Sequence, residues 1–255
     1  MSLLAIVVAV LPVILIGLFI YKNDKIKEPT DLLFKLFFGG VASCFPAVLL
    51  EFAIGSLFPA EESMNFMQMF LYVFISIALV EEVCKWFFVY KLSYNHKEFD
   101  TLYDMVVYAS FVSLGFACFE NILYVSSTGV LTGVIRAISA VPGHVCDGIL
   151  MGSYLALAKV NYVKGNHKLS KKFKLLSLII PVITHGIYDF CLFWENPIFT
   201  GIFIIYVIVI FVICFRKVNE VSKNNLKFKY KNNYCTNCGL EVSSKYCTRC
   251  GNCNE

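Results

Sequence analysis

Seven apolar runs dominate the chain between residues 2 and 215, near 2–20, 33–58, 66–90, 102–125, 130–159, 174–194 and 198–215. Each approaches or exceeds the roughly 20 residues that carry a helix across a ~30 Å hydrocarbon core. Lipid offers backbone amides no partners, so such runs must satisfy their own hydrogen bonds as helix. The chain therefore reads as an all-α, polytopic membrane bundle of about seven transmembrane helices. Composition agrees: 58% of residues are hydrophobic and 16% charged, against about 45–50% and about 25% in soluble domains. The first run has no basic segment ahead of it, and Lys22, Lys25 and Lys27 follow it, the pattern of a retained span rather than a cleaved leader.

The connections fix an orientation. Segments 21–30, 91–100 and 159–174 and everything after Arg216 are basic, whereas 59–65, 126–129 and 195–197 hold no Lys or Arg. Lys and Arg are retained on the cytoplasmic side, so the N-terminus is expected outside and the C-terminus in the cytoplasm. The net charge of +4 is thus a topology signal and not a nucleic-acid footprint.

Composition changes after residue 215. We divide the chain into a membrane domain over 1–215, a basic Asn- and Lys-rich linker over 216–233 and a small tail over 234–255. The tail places Cys235, Cys238, Cys247 and Cys250 as two CxxC pairs, with Gly239 and Gly251 directly behind them. Two such knuckles can close a tetrahedral thiolate site around zinc. Two disulfides are the other reading, but a tail behind a basic cytoplasmic flank keeps its thiols reduced. A closed four-thiolate site is structural, and the metal then supplies most of the folding energy of so short a segment. The tail resembles the zinc-ribbon modules appended to many prokaryotic membrane proteins, which implies a protein partner. Six further cysteines (Cys44, Cys84, Cys118, Cys146, Cys191 and Cys214) lie singly in apolar runs and read as small packing residues.

Charges inside the spans need a reason. On insertion scales each acidic or basic residue at a span centre costs about 2.5–3.5 kcal/mol, while a Leu or Phe returns only about 0.3–0.6. Away from span ends the ionisable residues are Glu51, Glu81, Glu82, Lys85, Glu120, Arg136, His144, Asp147, His185 and Asp189. In the third span Lys85 stands four residues after Glu81 and three after Glu82, so it can pair with either and leave the other partly free. In the fourth, Phe116 and Glu120 share a face with Asn121 alongside. In the fifth, His144 and Asp147 are one turn apart beside Gly143 and Gly148, which permit close helix approach. In the sixth, His185 and Asp189 again share a face. At ~1.5 Å rise per residue most of these fall at similar depth, with Glu120 nearer the outer end. Glu51 and Arg136, close to span ends, read as interhelical pairing or snorkelling residues.

Buried carboxylates beside two imidazoles can activate water and stabilise an oxyanion, bind a metal that leaves one position open, or carry protons. No HExxH occurs, nor a GxGD, nor a GxSx on a span.

Four motifs, "EEVCK", "GFACFENILY", "GHVCDG" and "HGIYDF", occur in the order and rough spacing of the PrsW family of intramembrane proteases, which the chain resembles from about residue 1 to 215. The motif layout is similar to that of type II CAAX prenyl endopeptidases. The resemblance implies a bacterial plasma-membrane enzyme making the site-1 cut in a single-pass anti-sigma factor, which activates an extracytoplasmic-function sigma factor. It carries catalytic roles to Glu81, Glu82, Glu120, His144, His185 and Asp189, with Lys85, Asn121 and Asp147 in support. Family descriptions speak of metalloproteases, whereas the related enzymes fit glutamate-activated water without a metal, the reading taken here. Which of Glu81 and Glu82 is the base is open at this level. A non-catalytic membrane scaffold and a CAAX-type endopeptidase are the alternatives.

Overall fold

The computed structural model describes residues 2–57, 64–194 and 196–223, together with 237, 238, 247, 249 and 250. The described membrane region is helical: α1 (Leu3–Asn23), α2 (Thr30–Leu57), α3 (Phe66–Leu71), a π-helical stretch (Tyr72–Ala78), α4 (Leu79–Ser93), α5 (Leu102–Thr128), α6 (Val130–Ile138), α7 (Ala140–Val163), α8 (His167–Phe193) and α9 (Pro197–Lys223). Among the described residues seven segments are long and apolar enough to cross a membrane, with α3 to α4 forming one and α6 with α7 another.

Three details depart from the sequence expectation. The run at 66–90 winds as a π-helix just ahead of Glu81, and such stretches mark functional positions in helices. The run at 130–159 breaks at Ser139, whose φ of −123° and ψ of −67° end α6 and start α7. Helix α8 begins at His167 rather than near 174, because the Asn166 side chain accepts from the Leu169 amide at 3.2 Å and caps the basic first turns.

Helix α5 is the centre of the bundle. In its most apolar 18-residue window 72% of residues are buried, against 6% in α9, whose apolar side chains face outward. Met105 and Tyr108 of α5 share a core cluster with Leu36 of α2 and with Met151 and Leu155 of α7, while Tyr103 and Leu114 belong to a second cluster with Ile20 of α1 and Val145 and Ile149 of α7. All six span cysteines are buried and free.

Glycines set how closely the helices approach. A Cβ on Gly40 would lie 1.9 Å from the Val112 carbonyl oxygen, and one on Gly115 would lie 1.9 Å from that of Phe37. The α2–α5 crossing is thus backbone against backbone from both sides. Gly148 is likewise closed off by Ser113 and the Ala109 carbonyl, whereas a Cβ on Gly143 would meet only the Tyr188 ring at 3.8 Å. Of the two glycines expected to permit close approach in the fifth span, only Gly148 is at one. Neither backbone at the α2–α5 crossing can yield without separating the helices, so Gly40→Ala and Gly115→Ala should each lower melting temperature in detergent, with a loss of about 1–3 kcal/mol. Gly55→Ala and Gly201→Ala, where nothing lies within 4 Å, should leave it unchanged.

The loop from α1 to α2 tucks an acid against the bundle end. Glu28 is buried, and Tyr108 donates to its Oε2 at 2.5 Å. Burial pushes the Glu28 carboxyl up from 4.5 to about 9, opposed by the Tyr108 hydrogen bond and reinforced by the charges of Asp104 and Asp24. The folded state therefore holds a proton that the unfolded chain has released above pH 4.5. The stability this contributes is full below that pH and is lost as pH rises toward 9. Melting temperature should fall over this window in the wild type and fall less in Glu28→Gln.

Candidate active site

The polar residues of four spans meet. The π-helical stretch delivers α4 with Glu81, Glu82 and Lys85 all turned inward: Glu82 and Lys85 are fully buried and Glu81 is 5% exposed. Lys85 Nζ lies 3.1 Å from Glu81 Oε2, 2.7 Å from Glu82 Oε1 and 3.0 Å from His144 Nδ1 of α7. An ammonium has three N–H donors, and all three are used. The expectation that Lys85 pairs one carboxylate and leaves the other partly free is thus corrected, because at i−4 and i−3 both reach the same ammonium. The Phe116 ring of α5 lies 4.0 Å beneath Nζ and adds a cation–π contact.

The imidazoles are each held from behind. His144 Nδ1 accepts from Lys85, which places its hydrogen on Nε2, and that nitrogen meets Glu120 Oε2 at 2.7 Å. His185 of α8 sets Nδ1 2.9 Å from Glu82 Oε1 and Nε2 3.2 Å from Asp189 Oδ2, with Glu81 Oε2 at 3.8 Å. The two rings stand 5.2 Å apart, nearly perpendicular. Glu120, placed by rise alone nearer the outer end, reaches the cluster through its side chain.

Of the two roles the sequence allows Arg136, interhelical pairing and snorkelling, it takes the first. It does not snorkel outward from α6: its Nη2 donates to Glu120 Oε2 at 2.7 Å, its Nε to Asn121 Oδ1 at 3.3 Å, and its guanidinium stacks 3.9 Å from the Tyr124 ring. Asn121 donates to the Ala9 carbonyl at 3.1 Å and so ties α1 to this corner. Asp147 receives the Thr184 hydroxyl at 2.5 Å, and Tyr206 of α9 donates to the Thr184 carbonyl at 2.7 Å. These partners lie on different helices, so no i,i+3 or i,i+4 spacing announced them.

A cavity of about 350 Å³ opens onto the cluster, within the ~300–1,000 Å³ usual for ligand sites. Glu81, Glu120, His144, His185, Asp147 and Asp189 line it, as do Glu51, Arg136, Tyr124 and Tyr188. Glu82 and Lys85 stand behind this wall.

Glu81, Glu82, His144 and His185 each offer one donor atom within 4.8 Å of the others, a chemistry zinc accepts. Glu120 and Asp189 stand where carboxylates orient histidine ligands. Yet Lys85 Nζ touches three of these four residues at 2.7–3.1 Å, and a metal held by the set would have to displace a wholly buried ammonium. As arranged, the donors fit the ammonium and do not fit a metal.

A family model described as "PrsW family intramembrane metalloprotease" matches residues 28–215, a stretch that contains the whole cluster. The chain belongs to the PrsW family. It is 37% identical to "Protease PrsW" of Oceanobacillus iheyensis over 208 residues, 82% of this chain and 91% of that one. Identity to the "Protease PrsW" of Bacillus subtilis is 35% over 178 residues, 70% of this chain and 77% of the relative. For the Clostridioides difficile protein of the same name it is 29% over 230 residues, 88% and 94%. No solved structure matches. As a PrsW family member the chain is an intramembrane protease, and the cysteine-bearing tail lies beyond the family match.

Within that tail the thiols of Cys238, Cys247 and Cys250 lie within 4.8 Å of one another. Cys238 and Cys247 sulfurs are 3.4 Å apart, and the Arg249 amide donates to Cys247 Sγ. Cys235, the fourth expected ligand, lies outside the described residues.

Proposed function

We propose that the chain hydrolyses a peptide bond in a single-pass membrane protein close to the outer membrane face, as the first cut in an anti-sigma factor. The observation that carries the reading is that Glu81 lines the cavity whereas Glu82 does not. Glu81 is then the general base. Its carboxylate takes a proton from a cavity water, the water oxygen attacks the scissile carbonyl carbon, and the proton passes to the leaving nitrogen as the C–N bond breaks. His185 Nε2 lies 3.2 Å from Asp189 Oδ2 and 3.8 Å from Glu81 Oε2, and its single N–H is shared between Asp189 and the reacting oxygen as charge develops there. Glu82 bridges Lys85 to His185, and Glu120 with His144 closes the other side, so Lys85 and both imidazoles are fixed before substrate arrives. Asn121 and Asp147 hold neighbouring helices.

The basic connections support an orientation with the N-terminus outside and the C-terminus in the cytoplasm of a bacterial cell. In the tail, Cys235, Cys238, Cys247 and Cys250 hold a structural zinc, and the module recruits a protein partner. Elemental analysis tests both metal assignments: one zinc per full-length chain and none after removal of 224–255 is expected. Zinc retained by the truncated protein would place a metal in the membrane site.

Cleavage of co-expressed single-pass proteins tests the function. Wild type should cut an anti-sigma factor that His185→Ala, present at equal abundance, leaves intact. Equal cutting by both would show that the cluster only holds helices together.

A further inference from the structure

An apolar span stays in lipid, so a peptide bond attached to one reaches the cavity sideways, through whichever seam between helices is open. Most seams are filled. Between the π-helical stretch and α8, a Cβ on Gly186 would meet the Phe74 ring at 2.5 Å, and the Phe66 and Phe70 rings stand 5.0 and 6.0 Å from that of Phe190. Between α7 and α8, Tyr188 donates to Ser139 Oγ at 2.9 Å, and Arg136 closes α6 on α5.

The α2 wall is different. Contact between α2 and α5 climbs from the Gly40 and Gly115 crossing through Cys44, whose Sγ lies 3.7 Å from the Phe116 carbonyl oxygen, to the Phe45 and Phe119 rings 5.4 Å apart. Beyond them it thins. The last buried residue of α2 is Ala47, although the helix runs on to Leu57, and Ile54 packs on the core only partly. Pro46, which has no N–H to give the preceding turn, stands where this loosely held stretch begins. Glu51, its one charged residue, does not fasten it: Oε1 is buried with no hydrogen-bond partner among the described residues. The pairing expected of Glu51 from its place near a span end is not made by this atom, and an unmet buried acceptor weakens closure of the wall.

Four described residues line the cavity and are also exposed: Val48, Leu123, Tyr124 and Phe193. Tyr124 lies under the Arg136 guanidinium, and Phe193 is the last residue of α8. Val48 and Leu123, 52% and 45% exposed, stand on α2 and α5 beyond the Phe45–Phe119 contact, with Phe52 one turn farther out on α2. Resting on the proposed peptidase reading, we propose that this seam, Val48 and Phe52 against Leu123, is the docking surface for the apolar transmembrane helix of the substrate, which passes its scissile segment into the cavity between α2 and α5. Continuity with the cavity selects a substrate helix over bulk lipid, because a helix lying here has the chamber of Glu81 and His185 directly beside it. The equally apolar outward faces of α9 at Ile208 and of α1 at Leu15 adjoin no part of that cavity.

The test is photo-cross-linking in proteoliposomes, with a single-pass anti-sigma factor as the probe and a Glu81→Gln background that keeps it whole. p-Benzoylphenylalanine replaces Val48, Phe52 or Leu123 in the seam, and Leu15 or Ile208 as controls. Cross-links to the probe should form from the three seam positions and not from the two controls. In the otherwise wild-type protein Val48→Trp and Leu123→Trp, which narrow the seam, should raise KM about 10-fold and keep kcat, the loss of binding that ground and transition states share. Ile208→Trp should leave both unchanged, and melting temperature checks that each variant is folded. Cross-links equally strong from the controls, none from the seam, or wild-type KM in both seam Trp variants would overturn the inference while cleavage by the wild type upholds the peptidase reading. A wild type that does not cleave would overturn that reading and the inference with it.

Discussion

Replacing Glu81 by Gln is expected to lower kcat by about 10²- to 10⁴-fold, the usual contribution of a positioned general base, while melting temperature changes little. The side chain keeps its size, and the amide oxygen still accepts the Lys85 hydrogen bond at the 3.1 Å site. What is lost is the ability to take a proton from water in the cavity that Glu81 lines. Glu82→Gln should behave differently. Glu82 Oε1 receives both Lys85 at 2.7 Å and His185 at 2.9 Å, and the residue is fully buried. Neutralising it weakens the fixation of two other groups, so a drop in thermal stability should accompany the drop in rate. Parallel kinetics and melting curves on the two variants separate the roles; identical behaviour would contradict the assignment of Glu81 as base.

Lys85→Met is the second large effect, and it falls on folding. Lys85 is wholly buried and gives its three N–H groups to Glu81, Glu82 and His144. Truncating one partner of a buried ion pair leaves an uncompensated charge, with a loss of about 3–5 kcal/mol. Two carboxylates are stranded here, so folded protein recovered in detergent should fall sharply. Lys85→Met combined with Glu82→Gln removes one stranded charge and should restore much of the yield without restoring cleavage. A folded and active Lys85→Met protein would show that the ammonium is not the cation that organises the site.

Much of this was legible in the sequence because charges stand out in apolar runs. The seven runs gave the spans, and the i,i+3 and i,i+4 placement of Glu81, Glu82 and Lys85, of His144 and Asp147, and of His185 and Asp189 gave the shared faces. Relations between helices were not legible. Nothing in "YVFISIA" distinguishes π from α winding, since the same residue types suit either. The partnership of Arg136 with Glu120 depends on the turn at Gly129, which sets α6 against α5, and on the break at Ser139, which separates α6 from α7. Rise along a helix axis placed Glu120 too far out because it ignores the reach of the side chain. Glu51 reads as a pairing residue until the cavity beside it is seen, for an unmet acceptor is a property of the neighbours and not of the residue.

The central claim, water activated by Glu81 beside a fixed ammonium, is tested most directly by the single-turnover cleavage rate of a reconstituted single-pass substrate with the tail ligands Cys235, Cys238, Cys247 and Cys250 replaced by Ser. The protein should first be treated with a strong zinc chelator and verified as metal-free. The account predicts that this protein cleaves at the rate of the untreated variant and that Glu81→Gln in the same background does not cleave. Loss of cleavage on chelation, restored by added zinc, would contradict it.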